Sequence, residues 1–199
     1  MARIEVCGAM ASGKTTLVRA LQDKGFIPLY ERFEENPFFG DGVNNGVSSA
    51  FEVEIVFLLL HANLIRQHPT CSSLSISDFS LYQDWCYASI NLEPRELQIF
   101  RHVYRYYESC IAQADLLIYL QCSVEILRQR IVKRARKMEQ DVSAEYLQAM
   151  IHELESSLKG YSKVLFIRSD EYDFFSSNDV SRIVGKIYNG LGTVHCEGR

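Results

Sequence analysis

The chain has 199 residues, 47% of them hydrophobic and 23% charged, with a formal net charge of −4. That length supports one domain with a full core, and that hydrophobic share excludes a disordered chain. The acid excess and the lack of a long basic run argue against a polynucleotide partner, which needs a dense Lys/Arg surface.

The apolar run Ile4-Glu5-Val6-Cys7 reads as a first strand beginning near residue 3, which leaves no room for a signal peptide. Gly8-Ala9-Met10-Ala11-Ser12-Gly13-Lys14-Thr15 follows and leads into a helical pattern from Thr16 to about residue 24, stopped by Gly25. This is strand, loop and helix with the spacing G-x-x-x-x-G-K-[ST], a P-loop. Its two glycines let successive backbone N–H groups surround phosphate oxygens, and the new helix points its positive end there. Lys14 reaches the outer phosphates, and the Thr15 hydroxyl is a ligand for Mg²⁺. Residues 8–16 are therefore the expected ATP-binding segment.

A second strand over 26–30 ends at Glu31, and its Pro28 suggests an edge position. Residues 32–49 are loop-like, rich in Gly, Asn and Pro, and a loop that long is usually functional. A helix over 50–67 has Phe51, Ile55, Leu58, Leu59, Ala62 and Ile65 on one stripe. A third strand, 74–77, ends at Asp78. Helices over about 80–91 and 94–113 follow, then the continuous apolar run 116–120, a strand covered on both faces. Helices over about 124–137 and 143–158, a strand over 164–167 and a helix over 178–190 complete the chain.

Alternating strands and helices predict an α/β fold: five parallel strands with helices on both faces. Ligands in such sheets sit at the carboxyl ends of the strands. The P-loop, Glu31 and Asp78 each follow a strand, so the three converge. The longest apolar stretch, 55–60, is too short to span a bilayer. Cys7, Cys71, Cys86, Cys110, Cys122 and Cys196 show no metal-ligand spacing; Cys7, Cys110 and Cys122 read as core thiols, and a cytoplasmic location fits.

In these residues the chain resembles the deoxynucleoside kinase family, along nearly its whole length. The likeness rests on the P-loop, Glu31 with Glu35-Asn36-Pro37-Phe38, Asp78-Phe79-Ser80 with Asp84, and the segment Arg130-Ile131-Val132-Lys133-Arg134-Ala135-Arg136-Lys137-Met138-Glu139. The resemblance implies a three-layer P-loop kinase in a single domain, with an arginine-rich lid at about 130–142. It implies ATP and Mg²⁺, a (deoxy)nucleoside acceptor, and a homodimer. Residues 99–111 carry an aromatic stripe that would serve a dimer or the core. By the same resemblance Glu31 is the general base for the 5′-hydroxyl, and Thr15 and Asp78 hold Mg²⁺. Arg130, Arg134 and Arg136 grip phosphates, Asp173 borders the adenine, Glu139 binds the 3′-hydroxyl, and Phe51, Glu54 and Asp84 meet the nucleoside.

The chain departs from the family pattern at Phe79, where an arginine is usual, at Glu54, where a glutamine is usual, and at Val43, the place of a sugar-binding tyrosine. An ionised glutamate only accepts hydrogen bonds, so Glu54 with Asp84 would suit a base rich in N–H donors; alternatively, one of the two is protonated. Phe79 and Val43 leave room for a non-catalytic relative serving in an assembly. A P-loop kinase for another small alcohol is the further alternative.

Overall fold

In the computed structural model, residues 2–39, 50–68, 74–136, 139 and 142–192 are described. Strand β1 (Arg3–Cys7) is buried along its whole length and lies at the centre of a five-stranded parallel sheet. The others are β2 (Ile27–Leu29), β3 (Ser75–Ser77), β4 (Leu116–Gln121) and β5 (Val164–Arg168), in the order β2-β3-β1-β4-β5. β2 is an edge strand, as Pro28 suggests; its register pairs Pro28 with Ile76.

Period-2 alternation divides the core. Ile4, Val6, Leu116, Ile118 and Leu120 face one side, where Leu17, Val18 and Leu21 of α1 (Lys14–Gln22) meet Val180, Ile183 and Ile187 of α7 (Ser177–Leu191). Cys7, Leu117 and Tyr119 face the other, against Leu127 and Ile131 of α5 (Val124–Arg134) and Leu147, Met150 and Leu154 of α6 (Ala144–Ser157). A third cluster joins α2 (Ala50–Gln67), α3 (Leu81–Asn91) and α4 (Pro94–Cys110). Ser80, Ser123, Ser143 and Ser176 cap α3, α5, α6 and α7, each accepting a backbone N–H three residues on.

Two expectations change. Helix α5 stops at Arg134, short of 137, because Ala135 adopts a left-handed conformation (φ 50°). Cys110 is exposed and Cys122 half-buried, so of the three thiols read as core only Cys7 is buried; Cys110 ends α4 on its outer side, while Cys71 and Cys196 lie outside the described residues. On the α4 stripe, Phe100 and Tyr104 are buried in the third cluster, and Ile99 and Tyr106 are exposed. Among the described residues, no helix is long and apolar enough to cross a membrane.

Candidate active site

Parallel strands put β1, β2 and β3 side by side with their carboxyl ends on one edge, and a cleft of about 970 Å³ opens there. Residues 10–16 of the P-loop line its floor. Gly8 (φ 153°) and Gly13 (φ 105°) are required by their backbone. A Cβ at Gly8 would meet Ser12 Oγ at 2.7 Å and the Leu120 carbonyl at 2.9 Å; one at Gly13 would press on the Phe174 ring at 3.1 Å. Gly8 and Ala9 lie behind the cleft rather than on its wall. The Gly8 N–H donates to Gln83 Oε1 at 3.1 Å, which ties the loop to α3. Lys14 Nζ donates to the Gly8 carbonyl at 2.9 Å and the Ala9 carbonyl at 3.3 Å. Burial lowers the Lys14 pKa, against the pull of Glu31 and Asp78.

Glu31 follows the edge strand and Asp78 follows its neighbour. Asp78 is buried; burial lifts its pKa, opposed by hydrogen bonds from the Thr15 hydroxyl and the Glu31 N–H. Thr15 and Asp78 therefore stand together as hard oxygen donors beside Lys14. Among the described residues no cluster of three or more His, Cys, Asp or Glu side chains forms a metal cage. The pair fits Mg²⁺, which takes few protein ligands and completes its shell with phosphates and water. Burial works to raise the Glu31 pKa, but His61, Lys14 and Arg136 overcome it and hold the carboxyl below its ordinary value.

The arginines divide by task. Arg130 Nη1 donates to the Ser12 carbonyl and to Ser169 Oγ, both at 3.0 Å, and its Nη2 to the Ser169 carbonyl at 2.9 Å. Its guanidinium thus braces the P-loop, where a phosphate grip was expected. Arg134 and Arg136, on either side of the left-handed Ala135, meet on one buried carboxylate, Glu139. Arg136 also lies over the Phe33 ring, 4.6 Å from its centre. Residues 137, 138, 140 and 141 of the expected lid, and Val43, lie outside the described residues. Asp173 lines the cleft beside Phe174, its Oδ1 accepting the Phe175 N–H at 2.9 Å.

Toward α2 the cleft is lined by Val53, Glu54 and Phe57. Phe51, expected to meet the nucleoside, instead packs on the α2–α3–α4 cluster. Glu54 is buried. Its Oε1 accepts from Asn91 Nδ2 at 2.7 Å, and Asn91 Oδ1 accepts from the Tyr146 hydroxyl at 3.0 Å. Burial pushes Glu54 up to about 8, opposed by Asn91 and aided by Asp84, so it is mostly protonated at neutral pH. Asp84 does not stand bare either: both its oxygens face His61 Nδ1, at 2.9 and 3.0 Å. Phe79 is buried, and its ring stacks on His61.

Phe57 and Asn91 line the cleft and His61 is buried beside it; the sequence reading singled out none of the three. His61 had a signal, since it stands seven residues after Glu54, two turns on along the same helix face.

A glycine loop that wraps a helix N-terminus, a lysine at its mouth and two carboxylates from adjacent strand ends define a P-loop kinase. The family model for deoxynucleoside kinase matches residues 4–191, and the chain belongs to that family. It is a deoxynucleoside kinase-like phosphotransferase, and the non-catalytic alternative is disfavoured. Deoxyguanosine kinase of Bacillus subtilis is 27% identical over 197 residues, covering 92% of this chain and 95% of that protein. Deoxyadenosine kinase of Dictyostelium discoideum is 25% identical, covering 94% and 80%. The solved structure of deoxyadenosine kinase from M. mycoides with bound dCTP covers 94% of this chain and 99% of its own, with a TM-score of 0.77 at 21% identity; it bears out the fold.

Proposed function

We propose that this protein transfers the γ-phosphate of ATP to the 5′-hydroxyl of a deoxynucleoside with an amino-bearing base. The observation that carries the reading is the convergence of Lys14, Thr15, Glu31 and Asp78 at one end of the cleft. The carboxylate of Glu31, ionised at neutral pH, takes the hydroxyl proton as the acceptor oxygen bonds to the γ-phosphorus. The bond from that phosphorus to the bridging oxygen breaks, ADP leaves, and the proton passes from Glu31 to solvent. Lys14 and the loop N–H groups face the charge that develops on the phosphoryl oxygens. Thr15 and Asp78 would hold Mg²⁺, which when bound neutralises charge on the phosphates. Arg134 and Arg136, in a lid at about 130–142, would grip the phosphates, and Asp173 would border the adenine. Glu139 would orient them and meet the sugar.

Protonated Glu54 offers one donor and one acceptor, as a glutamine would, with Asn91 fixing its Oε1. All four bases present such paired edges; what favours an amino-bearing base is that relatives are named for deoxyguanosine, deoxyadenosine and deoxyadenosine/deoxycytidine. A cytoplasmic, single-domain homodimer completes the proposal. The free thiols suit that compartment, and Ile99 and Tyr106 on α4 offer apolar surface to a second copy.

The test is to incubate the protein with γ-labelled ATP and Mg²⁺ and a panel of nucleosides and small alcohols. Label on a deoxynucleoside 5′-oxygen supports the proposal; label only on a different alcohol, or on none, refutes it.

A further inference from the structure

Beside the cleft the buried His61 side chain is left without a task. His61 is 3% exposed, on α2 between β2 and α3. Its ring lies on the Phe79 ring at 4.2 Å and 10°, with Phe57 on the other flank at 5.8 Å and 27°. Nδ1 is held by both Asp84 oxygens. Nε2 points at Glu31 Oε1 across 3.4 Å and has no hydrogen bond, although it is sealed from solvent.

The chemistry of the ring decides its state. A neutral imidazole carries one N–H, so it can donate to a carboxylate on one side only. Here carboxylates face both nitrogens. The surroundings are acidic from every direction: Glu31 beyond β2, Asp84 on α3, Glu54 on α2 itself and Glu5 on β1, while the cations Lys14 and Arg136 act on Glu31. Phe79 brings no charge and offers a ring face, a surface that attracts a cation.

We infer that His61 is a positioning residue for the transfer: an imidazolium anchored to Asp84 through Nδ1, whose Nε2–H holds the Glu31 carboxylate toward the acceptor hydroxyl. The inference rests on the reading of Glu31 as the general base. Burial favours the neutral ring, but the attraction of Asp84 and Glu31 is larger and pushes His61 up to about 10. At 3.4 Å the imidazolium fixes the direction of the Glu31 carboxyl and keeps it ionised, ready to accept the hydroxyl proton.

Two measurements test it. In the native protein, ¹⁵N NMR of the His61 ring should show both nitrogens protonated from pH 6 to 8.5; a neutral ring at pH 7 overturns the inference, whatever the variants do. In His61→Asn the amide keeps a donor near Asp84 but no longer reaches Glu31, whereas in His61→Gln the amide reaches to about where Nε2 stood. His61→Asn should lose about ten- to a hundredfold in kcat, below the roughly 10²–10⁴-fold of removing a base. Its KM for ATP should stay within about twofold, and His61→Gln should recover part of the loss. Folding is checked by thermal melting. Folded His61→Asn with wild-type kcat, or equal losses in both variants, overturns the inference. Glu31→Gln separates the two readings: if it stays active the base assignment fails, and if it is inactive beside a fully active His61→Asn only the role of His61 fails.

Discussion

The backbone N–H of Glu31 donates to Asp78 Oδ1 at 2.6 Å. Two carboxylates from neighbouring strand ends are thereby locked in register, since β2 and β3 pair Leu29 with Ser77 just before them. Asp78→Asn keeps an acceptor for that N–H but removes the charge; Asp78→Ala removes both. Both variants should lose Mg²⁺-dependent turnover. Only Asp78→Ala should also melt lower, by about 2–4 °C for each kcal/mol of a lost charged hydrogen bond. Steady-state assays across Mg²⁺ concentration, with melting curves, check this; equal melting points would mean the bond does not hold β2 in place.

Lys14→Ala should abolish transfer and leave the fold intact, because among the described residues Lys14 donates to loop carbonyls and to no other element. Circular dichroism and labelled-phosphate transfer decide it. Turnover near wild type would remove the lysine from the phosphate site.

Arg134→Ala and Arg136→Ala should lower kcat more than they raise the KM for the nucleoside, since the charge they meet develops during transfer. Each removes one of the two guanidinium groups that meet on Glu139. Equal effects on kcat and KM in both variants would make this pair a docking face.

Glu54 makes a pH prediction of definite sign. Its folded pKa is raised to about 8 from 4.5, so between those values the unfolded chain releases a proton that the folded chain keeps. Stability contributed by this group is present below pH 4.5 and is lost as pH rises toward 8. Glu54→Gln should flatten the fall in melting temperature from pH 5 to 8. In catalysis, ionisation above neutral pH removes the donor and leaves only acceptors. The kcat/KM ratio of an amino-bearing nucleoside over thymidine should therefore climb from pH 6.5 to 8.5 in wild type and stay level in Glu54→Gln. A level ratio in both would take Glu54 out of base reading.

The fold was legible where local rules and burial agree. The P-loop spacing, the continuous apolar run of β4 and the proline of β2 each placed an element that the structure confirms. From the residues alone, site geometry was legible where strand ends announce it, as at Glu31 and Asp78; the family resemblance added Glu54, Asp84, Glu139 and Asp173, which also line the cleft. Helix residues hide their direction: Phe51 and Glu54 stand three apart, yet one meets the core and the other the cleft. Arg130 could not be separated from Arg134, because its partners, the Ser12 and Ser169 carbonyls and the Ser169 hydroxyl, carry no sequence signature. Phe79 brings no cation, and the charge inferred to serve Glu31 stands instead on α2, at His61, since charge near a site is set by space and not by chain position.

Strand order has a further outcome. The phosphate loop grows from β1, which has a paired strand on each side, whereas Glu31 hangs from a three-residue strand bonded on one side only. Amide exchange should accordingly be slowest beneath the triphosphate and fastest behind the acceptor. Such a gradient lets acceptor preference drift during evolution without loosening the grip on the donor. Substitutions gathered around β2 and α2 would retune which hydroxyl is phosphorylated, while those in β1 would cost the protein its chemistry altogether.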